Sequence, residues 1–538
     1  MLRLTKDFQL NKDEWNAAGV TLPRFDVEKM QNKTKEQPVW LHFGAGNIFR
    51  GFIARLQQKL LNEGFSECGI IAADTFDSEI IERIFCPYDN LAITVDLSED
   101  GTKKSELIAS VSEALFADLS QPAERERLSQ IFKASSLQIA SFTITEKGYA
   151  LRGMSGEYLP VVATDINEGP KKARHAMSVV CALVHERFKS GAMPLALVSM
   201  DNCSHNGEKL KFALLEIAKE WEKKGFVERA FVQYLLDERK ISFPWSMIDK
   251  ITPRPASSVK DYFTAAGIAD MSPITTTKGS YIAPFVNAEI PQYLVIEDSF
   301  PNGRPALEKA GVYMTDRETV NKAERMKVTT CLNPLHTALA IFGCIFGYSS
   351  IALEMRDEDL RALVMRIGYD EGLPVAVDPG IISPRAFLDE VIDKRLPNPF
   401  IPDMPQRIAT DTSQKIPIRF GETIKSYISR DDLDVTTLKY IPLVIAAWLR
   451  YLIGVDDSGN GLVISSDPLL EMLQRELSGV EYGKPESCEG KLGAILSNKT
   501  LFAADLCECG LSYKIETMLS SMLEGKGAVR RTLKKYLS

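Results

Sequence analysis

The chain has 538 residues, 45% of them hydrophobic and 25% charged, with a formal net charge of −8. That length exceeds one ordinary core and implies two to four domains of roughly 100–200 residues each. The composition is that of a globular protein, and the acidic balance excludes nucleic-acid binding by bulk positive charge, leaving room only for a local basic pocket.

The N-terminal "MLRLTKDFQLNKDEW" is charged throughout and lacks the apolar stretch of a secretory signal. From residue 38 onward, short β-rich runs alternate with amphipathic stretches. "VWLHFGA" and "CGIIAAD" read as buried parallel strands. "FIARLQQKLLNEG" has helical periodicity and a C-terminal stop at Gly64. "LQIASFTITEKGY" and "PLALVSMDN" are further strands, with a helix in "KARHAMSVVCALVHERFKSG" between them. Such alternation indicates a Rossmann-type, doubly wound α/β domain. "QYLVIEDSFPNGRPALEKAGVYMTD" reads as late strands with a Pro-Asn-Gly turn. After about residue 318 the texture changes. "ALAIFGCIFGY", "EDLRALVMRIGYDEG", "SPRAFLDEVIDKRL" and "LKYIPLVIAAWLRYLIG" are helical and lack strand partners. The expected domains are therefore 1–317, α/β, and 318–538, mainly helical. The most apolar run, "TALAIFGCIFGYSSIALEM", reads as a buried helix rather than a membrane span.

Four stretches carry candidate chemistry. Gly44-Ala45-Gly46-Asn47-Ile48-Phe49-Arg50 follows a predicted strand and opens a predicted helix. Two glycines there let the backbone approach a pyrophosphate at a helix N-terminus; a tight structural turn is the alternative. Asp74 at the tip of the second strand can bind ribose hydroxyls and repel a 2′-phosphate, which favours NAD over NADP. Asp77 competes for that role, and either acid could merely cap a helix. In "VSMDNCSHNGEKL", Asp201, Asn202, His205 and Asn206 follow a strand end, where doubly wound folds bind ligands; an Asx-rich turn is the alternative. In "AERMKVTTCLNPLHTALAIFGC", Lys327, Asn333 and His336 flank an apolar helix that Asn333 is placed to cap, with Pro334 at its first position. A buried lysine there can act as a base. In "RIATDTSQKIPIRF", Arg407, Lys415 and Arg419 form a cationic group with few local acids, in a stretch whose prolines and apolar residues suggest packing rather than a solvated face. Nine cysteines include one C-x-C, Cys507 and Cys509, but no zinc-ribbon pairs, and the five histidines include no H-x-x-x-H. Reduced thiols, a cytoplasmic location and no metal, membrane or nucleic-acid partner are expected.

In order and spacing, "HFGAGNIFRGF", "TITEKGY", "SMDNCSHNG", "SFPWSMIDKITP", "KVTTCLNPLHTALA" and "RIATDTSQKIPIRF" resemble the polyol-specific long-chain dehydrogenase family, from about residue 38 to past residue 450. The resemblance implies an NAD-binding α/β domain, a helical C-terminal domain and metal-free hydride transfer on a small polyol or sugar acid. It assigns Lys327 as general acid/base, Asn202 and Asn333 as amides holding the reacting oxygen, and His336 as a group orienting substrate. It further implies substrate-binding roles for Asp249, Arg407 and Lys415, cofactor contacts for Gly44, Gly46, Asn47, Ile48, Arg50 and Asp74, and a gate for proton exchange at Glu324. One departure stands out: five residues, not the family's four, separate Lys327 from Asn333, so a one-residue bulge before Pro334 is expected. Overall resemblance, together with the cationic group, which suits a carboxylate, favours D-fructuronate/D-mannonate interconversion (fructuronate reductase) within the family. Mannitol 2-dehydrogenase and tagaturonate reductase are the alternatives within the family, and a catalytically inactive NAD-binding sensor is the alternative outside it.

Overall fold

The computed structural model describes residues 1–98, 100–153 and 155–538. The chain divides into two compact units, Met1–Asn321 and Lys322–Ser538.

Six strands build the main sheet of the first unit: β1 (Trp40–Phe43), β2 (Ile70–Asp74), β3 (Val111–Phe116), β4 (Ile139–Phe142), β5 (Leu195–Ser199) and β6 (Ile241–Ser242). Their spatial order is β3-β2-β1-β4-β5-β6, and every neighbouring pair is parallel. β1, β2, β4 and β5 are buried along their whole length, as expected of strands covered on both faces. Alternate residues feed two cores. Leu41, Phe43, Ile71, Phe142 and Leu197 face one cluster, with Val180 and Leu214 of the helices Ala176–Lys189 and Asn206–Lys223. Trp40, Ile70, Ala72, Ile139 and Val198 face the other, with Phe49, Phe52 and Leu60 of the chain segment that follows β1. The strand order reverses at β1, so the crevice beyond the carboxyl ends of β1 and β4 is where such sheets take ligands.

The helix after β1 ends at Asn62, with Gly64 at φ +76° and Phe65 N–H donating to the Leu60 carbonyl at 2.8 Å. One expectation needs correction. The strand expected across "LQIASFTITEKGY" stops at Phe142, and Thr145–Tyr149 is a short helix, because the Asp201 carboxylate captures the backbone N–H groups of Ile144 and Thr145. The late strands Tyr293–Glu297 and Tyr313–Thr315 are present and lie in a separate sheet of three, in which Tyr293–Glu297 pairs antiparallel with Ser246–Asp249 and parallel with Tyr313–Thr315. A four-stranded sheet containing Ala92–Leu97, Lys103–Ile108 and Phe285–Ala288 has no counterpart in the expected elements. Its members lie far apart in sequence, and Lys103–Ile108 alternates polar and apolar residues less cleanly than the buried runs.

The second unit is helical, with one isolated β-bridge, Val455–Gly461, among its described residues. At its centre lies Asn333–Phe346, with eleven consecutive-turn core residues including Leu339, Ile341 and Ile345 fully buried. Glu354 packs against this helix with no solvent exposure and no hydrogen-bond partner for either carboxyl oxygen. Its carboxyl group lies on the α-carbon of Gly343, where a Cβ would overlap it. Burial, reinforced by Asp357, pushes its pKa up to about 9, so the folded chain holds a proton there that the unfolded chain releases above the ordinary value of 4.5. The stability this proton confers is complete below that value and is lost as pH rises toward 9. Glu354→Gln is therefore expected to stabilise the protein at pH 7 by up to about 3 kcal/mol, with the gain shrinking toward pH 5. Denaturant titrations at the two pH values check this, and equal midpoints for variant and wild type at both would contradict it.

Candidate functional site

The first group of candidates surrounds the ends of β1, β2 and β4. Gly44 has φ +104°, and any Cβ there would overlap the Thr143 carbonyl. Only glycine allows this crossing. Gly44 N–H donates to the Ala73 carbonyl at 2.8 Å, Thr143 N–H to Phe43 at 2.9 Å, and Ala45 N–H to Asp74 Oδ2 at 3.0 Å. Beneath the loop, His42 is bonded on both ring nitrogens, to Ser141 Oγ at 2.7 Å and Thr143 Oγ1 at 2.8 Å, and stacks on Phe49. Burial lowers its pKa to about 3, so the imidazole is neutral and acts as a rigid spacer. Gly46 differs from Gly44: a Cβ there would point into open space. No packing demand within the protein explains a glycine at 46, whereas close approach of a pyrophosphate does. Asn47 and Ile48 are half-buried at the start of the helix that follows. The residues present therefore fit a dinucleotide.

Two expected cofactor contacts are arranged differently. Arg50 lies in a π-helical turn, Phe49–Ile53, with 1% exposure. Its guanidinium donates inward to the Ala283 carbonyl at 2.7 Å and to Asn47 Oδ1 at 2.9 Å, and burial lowers its pKa to about 9. It braces the loop from below and does not face the crevice. Asp74 does stand at the tip of β2, but it is buried and accepts from three backbone N–H groups, those of Ala45, Phe76 and Asp77. Burial raises its pKa against the pull of those bonds. Asp77 is occupied by the hydroxyls of Thr276 and Ser280. Asn202 is exposed just beyond β5, and Asp249 is buried at the end of the strand Ser246–Asp249.

The second group lies on the helical unit. Lys327 is 2% exposed in a π-helical turn, Met326–Cys331, in which Leu332 N–H reaches back five residues to the Lys327 carbonyl at 3.1 Å. This turn is the bulge that the extra residue requires. A π turn holds one residue more than an α turn, so six steps from Lys327 to Asn333 cover the path of five in a regular helix. Asn333 does not cap the next helix, as expected from its sequence; Leu332 is at the cap, Asn333 is the first helical residue, and Pro334 the second. The reason is the backbone of Leu332, turned out of the helix at φ −128° by the end of the π turn. The Asn333 amide is half-buried and makes no side-chain hydrogen bond among the described residues.

His336 Nε2 lies 3.3 Å from Asp403 Oδ2, and Asp403 also pairs with Arg407. Burial lowers the His336 pKa although Asp403 opposes it. For Asp403 the balance is reversed: His336 and Arg407 outweigh burial and hold it below its ordinary value. Lys415 donates to the carbonyls of Ile408 and Thr410, and Arg419 donates to Thr337 Oγ1 at 2.6 Å. Neither Lys415 nor Arg419 has a carboxylate at ion-pair distance among the described residues. Burial, with repulsion from Arg419, lowers Lys415 to about 8, and burial lowers Arg419 to about 10. Arg407, Lys415 and Arg419 thus form a cationic group beside His336; Asp403 pairs with Arg407, while Asp411 and Asp467 act on Lys415 from beyond ion-pair distance. Asp403 is not among the candidates the sequence offers; its spacing of four from Arg407 is the one local signal for it.

A six-stranded doubly wound sheet with a glycine crossing at its switch point, joined to a helical unit carrying Lys, Asn and His on successive turns, defines a Rossmann-type two-unit protein. Residues 39–309 match the family model described as mannitol dehydrogenase Rossmann domain, and residues 319–523 match mannitol dehydrogenase C-terminal domain. The chain belongs to the mannitol dehydrogenase family. It is 54% identical over 538 residues to D-mannonate oxidoreductase of Thermotoga maritima, covering 100% of this chain and 99% of that one. Among solved structures it is similar to D-sorbitol dehydrogenase in substrate-free form, with TM-score 0.77, 25% identity and coverage of 97% and 98%. It is also similar to Pseudomonas fluorescens mannitol 2-dehydrogenase in a ternary complex with NAD and D-mannitol, with TM-score 0.70, 25% identity and 99% of both chains covered.

The two glycines should separate in experiment. Gly44→Ala forces a side chain into the Thr143 carbonyl and should lower Tm by at least about 4 °C. Gly46→Ala should leave Tm within about 1 °C of wild type, since its Cβ meets nothing. Differential scanning calorimetry of both variants checks the pair; a stable Gly44→Ala protein would contradict the crossing.

Proposed function

We propose that the chain is an NAD-dependent sugar-acid dehydrogenase that interconverts D-fructuronate and D-mannonate. The observation that carries the choice of a sugar acid is the pair Lys415 and Arg419. Two partly buried cations without an ion-pair partner are costly unless an anion joins them, and a carboxylate accepts from a guanidinium and an ammonium together. Likeness to a D-mannonate oxidoreductase over the whole chain supports the same substrate.

In this proposal residues 1–317 bind the cofactor and residues 318–538 carry most of the substrate groups. Gly44, Gly46, Asn47 and Ile48 would cradle the pyrophosphate, and Asp74, which holds the loop through Ala45 N–H, would supply the ribose contact. When bound, the nicotinamide supplies the hydride chemistry. Lys327 gives a proton to the carbonyl oxygen during reduction and removes it during oxidation. The amides of Asn202 and Asn333 donate to that oxygen as negative charge develops, each such donor contributing about 3 kcal/mol in favourable cases. His336, held by Asp403, and Asp249 orient the hydroxyls, while Arg407, Lys415 and Arg419 receive the carboxylate. Among the described residues no group of three or more His, Cys, Asp or Glu could hold a metal ion, and lysine chemistry needs none. We place the protein in the cytoplasm, a location its nine free cysteines suit.

A panel assay following NADH absorbance with fructuronate, tagaturonate and fructose tests this function; turnover of fructose in preference to both keto acids would refute it. Arg419→Met is expected to raise KM for fructuronate by about 10-fold or more while changing kcat little. Because Lys415 loses its proton near pH 8, KM for the sugar acid should climb above that pH, and Lys415→Met should flatten the climb. Lys327→Ala should lower kcat by about 10²–10⁴ with NADH binding nearly unchanged, as single-turnover kinetics and fluorescence titration will read out. Near-normal kcat in that variant would remove the lysine from proton transfer.

A further inference from the structure

The turn after β4 contains a feature that the proposed chemistry does not use. Thr145 has φ +64°, in the left-handed region, and follows Ile144 at φ −115° and ψ 8°. For a β-branched residue this conformation is strained and persists only where its surroundings over-determine it. Two successive residues of opposite hand turn their N–H groups to one side and form a nest for an anion. The anion here is the Asp201 carboxylate: Oδ2 accepts from Ile144 N–H at 2.9 Å and Oδ1 from Thr145 N–H at 2.9 Å. Tyr149 O–H donates to the same carboxylate at 2.6 Å and shares a hydrogen bond with Ser199 Oγ.

Five residues later the chain is clamped again. Asn206 Nδ2 donates to the Asp201 carbonyl at 3.0 Å and to the Ser246 carbonyl at 2.9 Å, and Asn206 Oδ1 accepts from Ser246 N–H. His205, also left-handed at φ +52°, stacks on Trp245. Asn202 is thus displayed, exposed, on a short loop whose two ends are both tied to neighbouring strands. The Asp201 clamp also reaches the glycine crossing, because Thr143, two residues before the strained position, is the residue that Gly44 touches.

We propose that Asp201 is a positioning residue: its carboxylate, seated in the nest of Ile144 and Thr145, sets the backbone that aims the adjacent Asn202 amide at the reacting oxygen. This rests on the Asn202 role proposed above. Asp201 touches neither substrate nor cofactor in this scheme. An asparagine at 201 would place an N–H₂ group against one of the two backbone N–H groups and open half of the nest, and the strain at Thr145 would then go unopposed. Gly44 would keep its own bonds to Ala73, and Ala45 its bond to Asp74, so the cofactor loop would persist.

The test uses the full-length protein and four variants, Asp201→Asn, Thr145→Gly, the double variant of the two, and Tyr149→Phe. Each is measured for kcat, KM, NADH affinity by fluorescence titration, and Tm. Asp201→Asn is expected to lower kcat by about 10-fold or more, an effect of the size of losing part of one oxyanion donor, with the NADH Kd within about threefold of wild type. Thr145→Gly alone should keep near-wild-type kcat. In the double variant glycine takes the left-handed conformation without help, so a substantial part of the lost kcat should return. Should Asp201→Asn fail to fold, Tyr149→Phe decides: a kcat lowered by about threefold at unchanged NADH affinity supports the role, and an unchanged kcat overturns it. An Asp201→Asn enzyme with wild-type kcat overturns it, as does a parallel loss of kcat, NADH affinity and Tm, or a double variant no better than the single. A wild-type protein that binds NADH but turns over no keto acid refutes the functional proposal itself, a result visible before any variant is made.

Discussion

The first unit depends on one close crossing. The α-carbon of Gly44 lies against the carbonyl of Thr143, and no residue with a Cβ can occupy that place. From this contact the ends of three strands are drawn into a knot. β1 and β2 are joined by Gly44 to Ala73 and by Ala45 to Asp74, and β1 and β4 by Thr143 to Phe43. His42 fills the space below as a neutral, doubly bonded ring, which a charged imidazole could not do at this depth. The result is a half-buried backbone turn at Gly46 whose flanks are already hydrogen-bonded, which lowers the ordering entropy that opposes binding.

The second unit solves a different problem, that of holding partly buried cations that have no carboxylate at ion-pair distance among the described residues. Buried positive charge without a counter-charge is expensive, and the chain contains the cost by routing it through backbone carbonyls and a hydroxyl. Lys415 leans on two carbonyls and Arg419 on Thr337. Asp403 neutralises part of the region while fixing the ring of His336. The segment that carries Asp403 is itself seated by Ile351 N–H on the Asp403 carbonyl at 2.9 Å and by Pro405 over Gly343. The carboxyl group of Glu354 lies against that same glycine, beside Pro405, and burial pushes its pKa up to about 9.

Much of this was legible in the residues. The continuous apolar runs of β1, β2, β4 and β5, the glycine pair after β1, the helical periods beyond residue 318 and the spacing of Lys327, Asn333 and His336 are local properties, and local periodicity and steric rules suffice to read them. The extra residue before Asn333 even foretold a bulge. What misled was also local: Arg50 reads as a phosphate contact by position alone, and Asn333 before a proline reads as a cap, yet the π turns at Phe49–Ile53 and Met326–Cys331 rotate both out of those roles.

The sequence by itself determined which segments become two-sided strands, where glycine is obligatory and which residue types gather for acid–base and anion chemistry. Side-chain volume, charge and backbone freedom are properties each residue carries wherever it lies. Only the tertiary structure decided which groups meet. Asp74 closes on Ala45, Asp201 fills the nest of Ile144 and Thr145, and Asp403 reaches His336 across a long stretch of chain. Those pairings follow from strand register and helix packing, and the desolvation that shifts the ionisation of His42, Glu354 and Lys415 exists only once the cores have closed around them.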